Sequence, residues 1–331
     1  SVGIIGAGPA GLACAEELRK VGYKITIYDR YDRAGGLLIY GIPNFKLEKF
    51  VVERRMKMLK ESGIEFKQNI EIGKDILFEE LQNKHDAILI ATGVYKPREI
   101  NLPGSNLKNI FPAMAFLTAS NRMGLGDKVE EFENGNLNAK GKNVVVIGGG
   151  DTAMDCVRTA IRQEAKSVKC LYRRDKQNMP GSIREVNNAE EEGIEFIWLS
   201  NPKKFIGSGK ISSLEVQKMK LGEIDSSGRK NPVPIDNSNY EIKIDMAIKA
   251  LGFDPEDLPK LFNYNKLAIS KWGTIKINMK SMETNLPGIF AAGDIARGAS
   301  LVVWAIKDGR DAALSIQKYL EIKNIKKVEA A

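Results

Sequence analysis

The feature that most constrains this chain is that it states one structural pattern twice. Residues 2–11, VGIIGAGPAG, run an apolar stretch into a glycine-rich turn, and residues 144–153, VVVIGGGDTA, do the same. Each turn opens a helix, from about Pro9 to Gly22 and from the second turn to about Gln163, and each helix is followed by a strand, at 24–28 and at 168–172. In the first copy a helix over about 47–62 stops at Gly63, a strand follows at 64–66, and a buried strand at 87–90 leads into Ala91-Thr92-Gly93. The echo then becomes literal. Glu191-Glu192-Gly193-Ile194-Glu195-Phe196 repeats Glu61-Ser62-Gly63-Ile64-Glu65-Phe66, and Ala250-Leu251-Gly252 stands where Ala91-Thr92-Gly93 stood.

This order predicts an α/β chain of two Rossmann-like, doubly wound halves. Residues 284–294 supply a further turn, strand and glycine turn, and a helix is expected from about Ser300 to Leu320. That piece is too short for a domain. It is expected to complete the first half, so that residues 1–112 and 266–331 form one domain and 113–265 a second one inserted in it. Residues 121–143, rich in Gly, Asn and charge, read as a long exposed loop.

The two turns carry the chemistry. In the first, Gly6 permits the tight bend, Gly8 lets backbone approach a pyrophosphate, and Gly11 lets helix and strand pack closely, while the helix N-terminus offers free N–H groups to an anion. Asp29, ending the next strand, is placed to accept hydrogen bonds from ribose hydroxyls. The second turn, Gly148-Gly149-Gly150-Asp151-Thr152-Ala153, has alanine in place of the third glycine. Its following strand ends in Arg173-Arg174 where an NAD site shows an acid. Two guanidiniums suit a 2′-phosphate and favour NADPH over NADH; the alternative is a solvent-facing pair. Two dinucleotide sites without a catalytic triad or metal cluster imply that one cofactor reduces the other, so no catalytic side chain is expected.

Other residues exclude more than they add. Cys14, Cys156 and Cys170 show no spacing for zinc, an iron–sulfur cluster or a redox disulfide, and they read as small packed side chains. No metal is expected. The formal charge of +8 is spread among interleaved acids and bases, which argues against nucleic acid, and no apolar run reaches membrane-spanning length. The chain starts on a strand with no leader, so the cytoplasm is the expected compartment. His85 reads as structural. Trp304 reads as a core residue or as a wall of a flavin pocket.

With these residues in view, the chain resembles the small (β) subunits of bacterial NADPH-dependent glutamate synthases from Val2 to about Ala313. The most specific stretches are 35–43 (GGLLIYGIP), 148–155, 170–174 (CLYRR), Met179-Pro180-Gly181-Ser182 with Arg184-Glu185, and 298–306 (GASLVVWAI). The resemblance implies that Gly6, Ala7, Gly8, Pro9, Ala10, the segment Asp29, Arg30 to Gly36, Leu37, and also Lys46, Ile72 and Gly93, line an FAD site. It places Gly293 and Asp294 in a second FAD motif, with Ser300, Leu301 and Val302 beside the flavin. It implies that Gly148, Gly150, Asp151, Thr152, Ala153, Arg173, Arg174, Arg184, Ala250, Leu251 and Gly252 hold NADPH. The family's activity is NADPH oxidation by flavin, feeding a large (α) subunit that makes glutamate from glutamine and 2-oxoglutarate. Its members carry an N-terminal iron–sulfur domain whose cysteines this sequence lacks. The same fold and motifs also suit an electron-input subunit of ferredoxin–NADP oxidoreductase or dihydropyrimidine dehydrogenase type.

Overall fold

The computed structural model describes residues 1–225 and 228–329, so the last two residues of the predicted 266–331 segment lie outside the described residues. The chain divides into two compact units. The first comprises residues 1–40, 47–96 and 253–331, and the second comprises 41–46 and 97–252.

The first unit is built on a parallel sheet of five strands in the order Ile289–Ala291, Ala87–Ile90, Val2–Ile5, Ile25–Asp29, Glu65–Gln68. The three central strands are buried along their whole length, as expected of strands covered on both faces. Helix Pro9–Lys20 covers one face. Proline at its first turn is preset for helix, and Arg19 and Lys20 in its last turn suit the negative end of the dipole. The long helix Val302–Glu329 packs against it so closely that a Cβ on Gly309 would stand 2.2 Å from the Ala10 carbonyl oxygen. The other face is closed by Phe78, Phe262 and Leu267, with the Phe78 and Phe262 rings stacked at 5.2 Å. His85 is buried against this sheet, its Nε2 2.9 Å from the Tyr28 hydroxyl. Burial pulls its pKa down to about 4, so it is neutral at pH 7.

The second unit repeats the sheet in the order Ile110–Pro112, Met246–Lys249, Asn143–Ile147, Ser167–Leu171, Glu195–Ile197. The repeated hexamer occupies equivalent places. In both units it ends a helix with a glycine in the left-handed region, Gly63 (φ 91°) or Gly193 (φ 86°), and begins the edge strand of the sheet.

The sequence missed the three-stranded antiparallel sheet formed by Ser200–Ser208, Lys210–Ile224 and Lys230–Lys243. Its Phe205, Ile211, Leu214 and Val216 pack on Val145, Ile147 and Leu171 and so cover one face of the second parallel sheet. Register shifts between Gln217 and Met219 and between Leu221 and Ile224 break the alternation from which a strand is read.

Three other expectations are corrected. The unit boundaries fall at 96/97 and 252/253, because Ile110–Pro112 pairs with Met246–Lys249 in the second sheet while Leu258 and Phe262 belong to the first unit's core. Residues 121–143 are not a single loop. Helix Ala113–Gly124 runs into them, a short helix Glu130–Glu133 follows, and Asn121 and Ala139 are buried. Trp304 is neither core nor cleft wall: it is 44% exposed, with the Arg297 guanidinium 5.3 Å from its ring centre.

Candidate functional site: two glycine turns and a cleft

Both glycine turns are built alike. A Cβ on Gly6 would stand 2.4 Å from the Ala91 carbonyl oxygen, and one on Gly148 would stand 2.2 Å from that of Ala250. The repeated Ala-x-Gly exits therefore abut the turns, and only glycine fits there. Gly8 and Gly150 cap the following helices in extended conformation, and a Cβ on either would meet nothing within 4 Å. Open space over a helix N-terminus is what a pyrophosphate requires. The third position separates the copies. A Cβ on Gly11 would lie 2.1 Å from the Gly6 carbonyl oxygen, whereas the second turn accommodates the buried Cβ of Ala153.

In the first unit the turn lines a cleft. From the predicted set, Gly6, Gly8, Pro9 and Ala10 line it beside Asp29 and Arg30. Gly36, Leu37, Ile72 and Gly93 form further wall, and Gly293, Asp294, Ser300, Leu301 and Val302 line the part supplied by the returning segment. Ala7 and Gly11 do not face the cleft. The Ala7 N–H donates to Asp29 Oδ2 at 2.6 Å, the Tyr31 N–H donates to Asp29 Oδ1 at 2.8 Å, and this carboxylate thereby ties the turn to the end of the second strand. Each oxygen keeps a lone pair for a ribose hydroxyl. A Cβ on Gly36 (φ 55°) would stand 2.9 Å from Gly8 Cα, so the loop after the second strand lies directly against the phosphate turn. Tyr31, inside the predicted 29–37 segment, lines the cleft too, whereas sequence reasoning did not find Tyr95, Glu256 and Leu258, which also line it. Glu256 and Leu258 fall within the range assigned to the other domain, and the misplaced boundary hid them.

Asp294 begins a short helix and lines the cleft. Burial pushes its pKa up to about 6, opposed by the Ser300 N–H and Arg297 and helped by Asp308. Its folded pKa lies above the unfolded one, so folded-state stability falls as pH rises from about 4 to about 6 and stays reduced above that. With flavin removed, Asp294→Asn should therefore be more stable than the parent at pH 7.5, by about 1–2 kcal/mol after allowance for partial solvent screening. The advantage should vanish near pH 4. Denaturant melts of both apoproteins across this range check it, and a constant difference would assign the effect elsewhere.

In the second unit, hydrogen bonds from Gly6 N to Tyr28 O and from Gly148 N to Leu171 O align the two copies, so that Tyr172 stands where Asp29 stands and Arg173 where Arg30 stands. The Tyr172 ring underlies the turn, leaving no room for a side chain on Gly149. Asp151 Oδ1 accepts from the Ser182 N–H at 2.9 Å and the Gly149 carbonyl from the Gly181 N–H at 2.9 Å, which folds the 179–182 segment onto the turn. Thr152 is half-buried at the same helix start, Ala250 is buried, Leu251 is half-buried, and Gly252 (φ 91°) lies just beyond the strand Met246–Lys249. Arg173 and Arg184 are exposed.

Two predicted ligands are placed differently. Arg174 is 3% exposed, its Nη2 donates to Asp225 at 2.6 Å and its Nε to the Lys230 carbonyl at 2.7 Å. This guanidinium pins the tip of the long hairpin instead of offering itself to a phosphate. Lys46 belongs to the second unit, not to the first unit's cleft. Its Nζ lies 2.8 Å from Asp155 and 3.3 Å from Glu185, and Arg158 bridges Glu185 and Glu192 in the same network. Among the described residues no group of His, Cys, Asp and Glu could hold a metal ion. The three cysteines are free and buried, and burial pushes their thiols up, so none is poised for disulfide exchange.

Two nucleotide-binding turns in tandem define a pyridine-nucleotide flavoprotein, and the chain belongs to the pyridine nucleotide-disulphide oxidoreductase family, whose pattern matches residues 1–309. It is an FAD-dependent, NADPH-linked oxidoreductase. Within the family it is similar to the glutamate synthase [NADPH] small chain of Azospirillum brasilense, 59% identical over 323 residues, spanning 98% of this chain and 67% of that protein. The putative small chain of Cereibacter sphaeroides is 59% identical over 320 residues, spanning 97% and 77%. The fold is shared with FprA of Mycobacterium tuberculosis (TM-score 0.83, 18% identity, 98% of this chain and 85% of that one). It is shared also with Lactococcus lactis thioredoxin reductase (TM-score 0.71, 22% identity, 96% and 98%).

Proposed function

We propose that this chain is the NADPH-oxidising, FAD-bearing part of a glutamate synthase, delivering electrons to a large subunit that forms glutamate from glutamine and 2-oxoglutarate. The observation that carries this reading is the 59% identity to small chains over nearly the whole of this sequence, together with paired glycine turns that leave open space over a helix start in each unit. The first-unit cleft takes FAD and the second-unit turn takes NADPH. When bound, the flavin accepts a hydride from nicotinamide and releases electrons singly or in pairs. The chain's own residues bind and orient. Gly8 and Gly150 present helix N-termini to the pyrophosphates, Asp29 holds a ribose, Asp294 a hydroxyl of the flavin's side chain, and Arg173 the 2′-phosphate.

The small chains extend beyond the length matched here, and the rest of such a protein is expected to carry the iron–sulfur clusters that pass electrons onward. No described helix is long and apolar enough to cross a membrane, and the cytoplasm is the compartment we assign. A second reading, electron input to a different acceptor, is favoured by the 37% identity to the β subunit of the NADP(+)-dependent formate dehydrogenase of Moorella thermoacetica, of which the chain spans 44%. Pull-down with the large subunit decides between them. Stable capture of an amidotransferase-bearing subunit, and glutamate formation driven by NADPH in the reconstituted complex, are expected; capture of a ferredoxin or a formate-oxidising subunit instead would overturn the assignment.

A further inference from the structure

The second unit has a pocket of its own, away from the glycine turn. Helix Ala113–Gly124 and helix Asp151–Arg162 bring their C-terminal turns to it, and residues 43–45 add a wall, so all of its lining belongs to this one unit. Thr159 and Gln163, four residues apart along the second helix and its C-cap, share a face there. Thr159 is 5% exposed, and neither its buried hydroxyl nor the buried Nε2 of Gln163 has a hydrogen-bond partner in the protein. The Gln163 amide is held in one orientation, because its Oε1 accepts from the Ala139 N–H at 2.8 Å. What remains to it is a donor. Buried polar groups are hydrogen-bonded as a rule, so two adjacent ones left open at one pocket point to a ligand.

The surroundings select the charge and shape of that ligand. Both helices turn the negative ends of their dipoles to the pocket, and the arginines of their last turns are already paired, Arg162 with Glu192 at 2.7 Å and Arg122 with Asp127 at 3.0 Å. An anion gains little there. Leu117 and Pro43 are buried wall, and the Phe45 ring, with the Arg162 guanidinium 3.8 Å from its centre, adds a flat apolar side. We propose that this pocket binds a small neutral carboxamide, whose carbonyl oxygen accepts from Thr159 Oγ1 and Gln163 Nε2 while its apolar remainder packs on Leu117, Pro43 and Phe45. Ser120, which also lines the pocket, supplies an acceptor for the amide N–H. The ligand is not the nucleotide. Helix Asp151–Arg162 has 12 residues, which at about 1.5 Å each put the pocket about 18 Å from the turn at Gly150.

The test is a titration of the full, nitrogen-15-labelled chain with benzamide and with benzoate, its anionic isostere. The signals followed are those of the Gln163 side-chain amide, identified by their loss in Gln163→Glu. Benzamide should shift them saturably, and benzoate should bind about tenfold more weakly or worse. Thr159→Val keeps the shape and removes the hydroxyl, so it should weaken benzamide about tenfold and leave flavin reduction by NADPH unchanged. Gln163→Glu keeps an oxygen for the Ala139 N–H but replaces the donor with an acceptor, and it should lose benzamide as well. Signals that stay in place up to the solubility limit of benzamide would make this a site for ordered water only. Equal binding of benzoate would refute a neutral ligand, and a Thr159→Val protein that binds as the parent does would remove the donor pair; each of the three overturns the proposal.

Discussion

Replacing Gly8 by glutamate should give a folded protein that carries no FAD. Gly8 has an ordinary extended backbone, and a Cβ there would meet no atom within 4 Å, so neither the backbone nor the first side-chain carbon resists the change. The space it would enter is the one over the helix N-terminus where the pyrophosphate sits. A carboxylate there occupies that volume and repels the anion. Loss of colour should be complete, with a circular dichroism spectrum like the parent's. Neighbouring glycines should behave differently. Gly6→Ala forces a Cβ onto the Ala91 carbonyl at φ 106°, and Gly11→Ala drives one onto the Gly6 carbonyl, so both should lower stability by a few kcal/mol, as overpacking and backbone strain do. Gly150→Glu should leave the protein yellow and abolish its reduction by NADPH. Full FAD occupancy in the folded Gly8→Glu protein would show that the first turn is not the phosphate site.

What could be read from the sequence was whatever glycine and apolar runs determine. Both turns and both parallel sheets were legible, because residues such as Gly6, Gly63, Gly148 and Gly193 hold backbone conformations that few others tolerate and because buried parallel strands are continuously apolar. Side-chain commitments were not legible. Arg174 looks like a ligand by charge and position and Lys46 by family resemblance, yet each is held by carboxylates far away in sequence, Asp225 in one case and Asp155 and Glu185 in the other. The same holds for Glu256, whose partner Arg30 lies across the insertion. Pairings of this kind depend on which segments the topology brings together, and no local pattern encodes them. The hairpin was lost for another reason: its irregular register blurs the alternation that marks a strand.

The unequal fates of Arg173 and Arg174 give the second large effect. Arg173→Gln removes an exposed guanidinium at the position where the strand end meets the adenosine ribose. If it grips the 2′-phosphate, the lost charge-assisted hydrogen bonds are worth about 1.5–3 kcal/mol, so KM for NADPH should rise about tenfold to a hundredfold. KM for NADH and the melting temperature should not move. Arg174→Gln removes a buried guanidinium and leaves the Asp225 carboxylate and the Lys230 carbonyl without their donor. Breaking such a pair costs about 3 kcal/mol, at the low end of the buried range because Asp225 keeps some contact with water. That variant should melt several degrees lower and lose NADPH and NADH activity alike, and Asp225→Asn should reproduce it. Raising salt should weaken NADPH binding in the parent and hardly at all in Arg173→Gln, since the screened charge is then gone. Stopped-flow flavin reduction with both nucleotides, alongside thermal melts, separates these outcomes. An Arg174→Gln protein of unchanged stability that no longer prefers NADPH would return the phosphate to Arg174 and make its pairing with Asp225 a resting arrangement that the nucleotide breaks.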